Sequence, residues 1–432
     1  MFAYWAIRMK GNTTMNRSYA ATQKACYLAC ATQAIIVNLA PVLFLTLQSA
    51  YSISFEQLGR LVLINFVTQI IMDLCAHPLI LRFGYRANMV LAHGLGVAGL
   101  VLFALAPRLF PAAPYAGFVA ATIFYSLGGG LLEVMTSPIV DALPSDAKDA
   151  AMSLLHSFYC WGQLAVILIT TLLIRFIGSA AWPGIVLCWA VLPLFNAFNF
   201  ARVPMVMPPV ERERSREGRG AWLKSPVLFI ALATMIASGA AEQVMAQWAS
   251  SFAEKGLGLP KLWGDLAGPC SFALMMAIGR MLYGIFGARI PLKPTLFACG
   301  LLGLACYLTA AFCSQPALAL IACALCGLSV SLMWPGTLSS TSARFPGAGS
   351  LFFALMAVAG DIGCSLGPWL SGLTTDLVIA HAPPQRLAQL GLSAEQLGLK
   401  AGMLAGAFFS LLLLAGLALS IRGEKRQSAP QK

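Results

Sequence analysis

Charge is scarce in this chain. Charged residues fill 10% of 432 positions, and only 16 of them are Asp or Glu, whereas an ordinary soluble domain carries roughly 25%. No stretch has the make-up of a separate soluble domain. Histidine is rarer still: there are four, and they are scattered. Of the twelve cysteines, nearly all fall in apolar runs. Cys323 and Cys326 share a helix face, but no second pair completes a zinc site, so the thiols read as small buried hydrophobes. No metal or cofactor is expected. A paired catalytic constellation and a phosphate-binding loop are also missing, which argues against an enzyme. The run Gly94-Leu95-Gly96-Val97-Ala98-Gly99 has dinucleotide-type glycine spacing but lies inside an apolar span, so it reads as helix packing. The first 23 residues are mixed and basic, without the apolar centre of a signal peptide. Met9 and Met15 are further candidate starts.

Apolar residues dominate instead, at 59%. They recur in blocks long enough for the ~20 residues that cross a bilayer core. The expected spans are 25–49, 58–81, 88–107, 115–141, 150–174, 180–201, 225–252, 262–286, 293–313, 316–341, 350–377 and 400–421. The net charge of +12 first suggests nucleic acid. Its distribution points elsewhere. With the N-terminus inside, 21 Lys and Arg fall on the inner side and 7 on the outer, accounting for all 28. That threefold bias is the positive-inside signal. We therefore expect both termini in the cytoplasm, a plasma (inner) membrane location, an anionic lipid surface as the basic residues' partner, and no nucleic acid.

The longest polar stretch between spans, Pro204 to Ser225, contains Glu211-Arg212-Glu213-Arg214-Ser215-Arg216-Glu217-Gly218-Arg219. It divides the spans six and six. The halves echo each other: Arg82-Phe83-Gly84-Tyr85-Arg86 recurs as Ile285-Phe286-Gly287-Ala288-Arg289, and Ser137-Pro138 as Trp334-Pro335. Paired six-helix repeats are a transporter architecture with a site near the midplane. The expected fold is all-α and membrane-spanning, with twelve transmembrane helices in two six-helix halves. The expected segments are an N-tail 1–24, a bundle 25–203, a linker 204–224, a bundle 225–421 and a C-tail 422–432.

A carboxylate in hydrocarbon needs a partner, a cavity or a proton. Asp73, Glu133, Glu242 and Asp361 stand out on that ground. Asn65, Gln69 and Asp73 lie at i, i+4 and i+8 on one face of span 2, and His77 continues the stripe. We expect Asp73 to act in a charge lock at the inner gate, with a direct substrate or proton role as the alternative. Glu133 follows three glycines well inside span 4. His156, Tyr159 and Gln163 form a stripe on span 5. Counted from a turn near Ser145–Asp146, Glu133 and His156 differ in depth by only about 3 Å, so the two helices could present them to one site. Burial favours a neutral carboxyl and a nearby cation favours a charged one. A group held between those influences can load and release a proton as helices move. On span 7, Glu242, Gln243, Gln247 and Trp248 offer a carboxylate, two amides and an indole, chemistry that suits a hydroxylated ligand. The alternative for Trp248 is an interfacial anchor, and for Glu242 an interhelical bond.

These segments resemble the major facilitator superfamily, and within it the fucose-permease-like sugar:proton symporters, from about Gln23 to Arg422. The span 4 run Gly128 to Pro138 is similar to that family's glycine-rich, Glu-containing helix, which implies proton coupling through Glu133. The span 5 run Met152 to Gly162 matches a segment whose amide side chains contact sugar, and His156 and Tyr159 occupy those positions here. Gly239-Ala240-Ala241-Glu242 with Trp248, and Gly360-Asp361-Ile362-Gly363 with Gly367-Pro368-Trp369, resemble its spans 7 and 11. The resemblance implies a substrate site drawn from Asn38, His156, Tyr159, Gln163, Glu242, Gln243, Trp248, Trp334 and Asp361. It implies gating by Asp73, Arg82, Arg86 and Arg289. Three positions depart from the superfamily's loop 2–3 signature, with His77 for Gly, Leu81 for Asp and Tyr85 for Arg. No acid follows Asn38 in Leu39-Ala40-Pro41. Coupling through a single carboxylate is therefore the expectation.

The function expected is secondary active import of a small hydroxylated solute, a sugar or derivative, by alternating access. A proton is the coupling ion, with sodium as the variant. Rival readings are a proton-driven drug or metabolite exporter and a non-transporting sensor on a transporter fold. A sensor would be expected to carry an appended signalling domain, and the ten residues after Arg422 argue against that reading.

Overall fold

The structure is a computed structural model that describes residues 19–144, 148–205, 222–286, 290–342, 344–345 and 349–427. Most of the linker, the turn at Ser145–Asp146, the His77 side chain and Arg289 lie outside the described residues. Among the described residues all regular structure is helical. Lipid imposes this, because a spanning backbone must satisfy its own N–H and C=O groups. In chain order the helices are α1 Ala20–Val42, α2 Phe44–Tyr51, α3 Phe55–Leu109, α4 Pro114–Ala142, α5 Lys148–Ile177, α6 Trp182–Arg202, α7 Pro226–Ser251, α8 Lys261–Asp265, α9 Ser271–Phe286, α10 Leu292–Phe312, α11 Pro316–Val330, α12 Met333–Ser342, α13 Gly349–His381, α14 Pro384–Leu390 and α15 Ala394–Gln427.

Among the described residues, eleven segments are long and apolar enough to cross a membrane. The remaining expected span, 350–377, coincides with α13, which at 33 residues is long enough but stands outside that set. The expected spans 2 and 3 run together as α3 through a kink at Gly84, where φ is 73° and ψ 168°. A side chain at that φ would be strained, so glycine is required. Asn88 fastens the kink by donating its amide to Leu79 O at 2.9 Å and Gly84 O at 2.8 Å. Spans 7 and 8 each contain a wide π turn, Phe252–Gly256 and Leu266–Cys270. Span 10 breaks between α11 and α12. Helix starts are locally written. Ser54 and Gln57 form a reciprocal capping box at α3, with bonds of 2.9 and 3.2 Å. Ser393 and Gln396 repeat it at α15, each pair satisfying two orphan donors.

The chain forms two compact units. The first is drawn from Met1–Val37, Ile71–Gln163 and Pro183–Arg214, and the second from Asn38–Ile70, Leu164–Trp182 and Ser215–Lys432. In lipid no hydrophobic force joins helices, so close packing of small residues must do it. In the first unit a Cβ on Gly162 would crowd Ala31 and Ala34 of α1. His93 ties three helices. Its Nδ1 lies 2.7 Å from Met89 O, which can only accept. Nδ1 is therefore the donor, and Nε2 accepts from Asn196, 2.8 Å away. Asn196 also donates to Ala25 O at 3.0 Å. This buried histidine is fully occupied in holding α1, α3 and α6. In the second unit α7 crosses α13 at nearly bare backbone. A Cβ on Gly239 would meet Gly360 O, one on Gly363 would meet Ile236 O, and one on Gly367 would lie 2.9 Å from Ala240 Cα. An apolar cluster of Leu228, Met235, Phe352 and Met356 continues that contact.

Candidate functional site

Glu133 sits in the middle of α4 with an exposed side chain. Its carboxylate accepts a hydrogen bond of 3.2 Å from Gln33 Nε2 on α1. Cys30, one turn earlier on α1, neighbours both Glu133 and Cys160 of α5. A further turn back, Tyr27 stacks on Phe158 of α5 with centroids 4.5 Å apart and planes 8° from parallel. Tyr27, Cys30 and Gln33 thus form one stripe of α1 that touches both α4 and α5. On α5, His156 is exposed and Tyr159 half-buried, while Gln163 is buried with no hydrogen-bond partner for Oε1. Gln33 was not singled out from the sequence. Its polarity and its spacing from Tyr27 inside an apolar span were the available signal.

Gln33 matters because an amide both donates and accepts. It can bond a carboxylate through Nε2 or a protonated carboxyl through Oε1. An arginine in its place would favour only the charged form. The pair therefore suits a group that changes protonation.

The second polar group lies in the second unit. Glu242 is 7% exposed, and its Oε2 is 3.6 Å from Arg280 on α9. Arg280 also donates to Ser331 O at 3.4 Å. Gln247 donates to Gln243 at 2.9 Å, leaving Gln247 Oε1 without a partner. Ser238 Oγ is likewise buried and unpartnered. Arg280 was counted from the sequence only as an inner-side charge, and the structure makes it the cation that faces Glu242. Asp361 is buried on α13 beside the Gly360 crossing. The Trp334 ring covers Gly360, so a Cβ there would meet the indole. Trp248 is 0% exposed and wedged against Phe44 and Phe55 at 5.3 and 5.9 Å. Its Nε1 donates to Pro368 O at 2.9 Å. Asn38 is buried near the end of α1.

Two acids that sequence reasoning passed over organise the second unit. Asp265 is completely buried at the end of α8. It accepts from Thr171 Oγ1 of α5 at 2.6 Å and from Ser250 Oγ of α7, and it pairs with Lys261 at 3.2 Å. Lys261 also donates to Val42 O at the end of α1, 3.0 Å away. Below this network Val42, Ile167 and Cys270 form an apolar cluster. Asp376 of α13 accepts from the first amides of α3, Phe55 N at 3.2 Å and Glu56 N at 2.6 Å. Trp369 Nε1 donates to Glu56 at 2.8 Å, and Arg60 pairs with the same carboxylate at 2.6 Å. Asp265 falls inside an expected span, so the rule that selected Glu133 could have found it.

Of the gating candidates, Arg86 spreads its guanidinium over Phe200 O, Ala201 O and Val203 O at 2.9, 3.0 and 2.8 Å, closing the end of α6. Arg82 is exposed and lies over the Phe83 ring, 5.2 Å from its centroid. Gln69 donates to Asn65 at 2.9 Å, and Asp73 is half-buried two turns along the same face.

The family model of the Major Facilitator Superfamily matches residues 26–368. No curated protein sequence matches significantly. Solved structures do. A bacterial homologue of the human lysosomal transporter Spinster, in an inward-facing and occupied conformation, aligns with a TM-score of 0.74 at 14% identity, over 94% of this chain and 97% of that one. A D-xylose–proton symporter aligns with a TM-score of 0.70 at 15% identity, over 91% and 97%. The E. coli fucose:proton symporter FucP aligns with a TM-score of 0.60 at 16% identity, over 93% and 99%. At these identities the likeness is one of fold.

Proposed function

The chain belongs to the major facilitator superfamily and is a multi-pass secondary transporter, and from that premise we propose that it imports a small hydroxylated solute, a sugar or derivative, together with a proton carried by Glu133. The observation that carries this reading is the exposed mid-span carboxylate with its amide partner, Gln33, at 3.2 Å. A charge placed there is costly in lipid unless it serves transport. In the cycle, protonation neutralises Glu133 for the solute-loaded inward step, and solute release alters the environment so that the proton leaves to the inside before the empty return. On α5, His156, Tyr159 and Gln163 supply hydrogen-bonding groups for hydroxyls; within the second unit, Glu242, Gln243 and Asp361 supply groups of the same kind.

The same reading orients the chain. Both termini and the 204–224 linker between six-helix halves face the cytoplasm of a plasma (inner) membrane, as the charge bias favours. Val42, Phe55 and Thr171 then mark the outer ends of spans 1, 2 and 5. Their bonds to Lys261, Asp376 and Asp265, all within the second unit, support an outer gate that is closed. These bonds must break in each transport cycle.

The test is Glu133→Gln in proteoliposomes. The variant should lose proton-driven uphill accumulation while retaining solute exchange. Uphill accumulation at the wild-type level would overturn the assignment.

A further inference from the structure

A second polar feature lies away from these groups, at the end of the second unit where α7 and α10 begin and α12 and α15 end. A narrow groove open to solvent is lined there by Lys293, Arg344, Thr234, Thr337, Ser340 and Thr341, among other residues. Two cations face it, and its lining among the described residues contains no acid. The N-termini of α7 and α10 bring their positive ends to the same place, which favours an anion. Arg344 is oriented by a bond of 2.9 Å to Ser420 O. The hydroxyls are not equivalent. Thr234, Ser340 and Thr341 spend their protons on backbone carbonyls of their own helices. Thr337 does not. It is 2% exposed, and its Oγ1 has no hydrogen-bond partner. A buried hydroxyl left so costs free energy, and its O–H can be satisfied by an acceptor entering the groove.

We propose that this groove binds a phosphoryl group. The geometry supplies two cations, a buried O–H donor and two helix N-termini around one opening. That is the donor set a tetrahedral oxyanion needs and a neutral sugar does not. By the orientation proposed above the groove opens at the cytoplasmic end, where both anionic phospholipid headgroups and free phosphate compounds are present. The site does not depend on Glu133 or on the transported solute.

The experiment uses the full chain in a neutral detergent. Binding of short-chain phosphatidylglycerol and of phosphatidylcholine is followed by native mass spectrometry, and inorganic phosphate is titrated by thermal shift. Wild type should hold phosphatidylglycerol over phosphatidylcholine, or be stabilised by phosphate. Phosphatidylglycerol alone identifies a lipid site, and phosphate as well identifies a site for free phosphoryl compounds. The double variant Lys293→Gln/Arg344→Gln should bind the active probe about thirtyfold more weakly. Thr337→Val, nearly the same shape, should weaken it by roughly fivefold. Lys255→Gln, at the opposite end of α7, should leave it unchanged. If wild type neither prefers phosphatidylglycerol nor responds to phosphate, or if Thr337→Val and the double variant bind as wild type does, the proposal is overturned.

Discussion

Replacing Asp265 by Asn tests whether the buried network at the end of α8 sets the stability of the closed arrangement in the second unit. The carboxylate accepts from Thr171 and Ser250 and faces the Lys261 ammonium at 3.2 Å. An amide keeps the shape but offers one acceptor oxygen in place of two. Its NH₂ then confronts a hydroxyl or the ammonium, donor to donor. At least one charge-assisted bond is lost and another falls to neutral strength, which costs about 3 kcal/mol. Lys261 retains Val42 O and, at 3.8 Å, Glu254, so its own charge is not stranded. If opening breaks this network, a cost of that size raises the open population about 150-fold. Hydrogen exchange followed by mass spectrometry reads this directly. Peptides spanning Ser250 to Cys270 should exchange faster by about that factor, while peptides around His93 in the first unit should not change. Unaltered exchange at Ser250–Cys270 in a folded Asp265→Asn protein would refute the reasoning.

Further outcomes follow from the same geometry. Arg86→Lys should destabilise the end of α6 by about 1–3 kcal/mol, because one ammonium cannot reproduce a planar fork on three carbonyls; exchange of the Asn199–Val203 amides would report it. Gly363→Ala should lower thermal stability more than Gly360→Ala. The added methyl meets the fixed Ile236 backbone in the first case and the movable Trp334 ring in the second; equal melting temperatures would contradict this. Asp376→Ala should uncap Phe55 and Glu56 at the cost of about 1 kcal/mol, seen as faster exchange confined to the first turn of α3.

Much of the fold was legible because lipid leaves few choices. Length and apolarity alone locate α4 at Pro114–Ala142 and α10 at Leu292–Phe312 within two residues of the sequence expectation. The unpaired backbone has no alternative to helix in such a solvent. The breaks inside helices were less legible. Nothing local in the sequence distinguishes the π turn at Phe252–Gly256 from ordinary helix. Gly84, by contrast, is a glycine between two aromatics with an arginine beyond each, and its positive φ is the kind of demand that glycine announces.

The candidate site divides the same way. The sequence by itself determined that Glu133, Glu242 and Asp361 lie in apolar helices, since position along a helix follows from counting residues. Pairing did not follow from counting. That Glu133 is held by Gln33, Glu242 by Arg280 and Asp265 by Thr171 and Ser250 depends on which helices are neighbours and how far each is rotated. These partners are 38 to 100 positions apart or separated by a break, beyond the reach of any periodicity. Their contact is fixed by where glycines and alanines let backbones approach. Only the tertiary structure could decide it, because the energy that selects a neighbour in lipid is the sum of many such contacts and is written in no single segment.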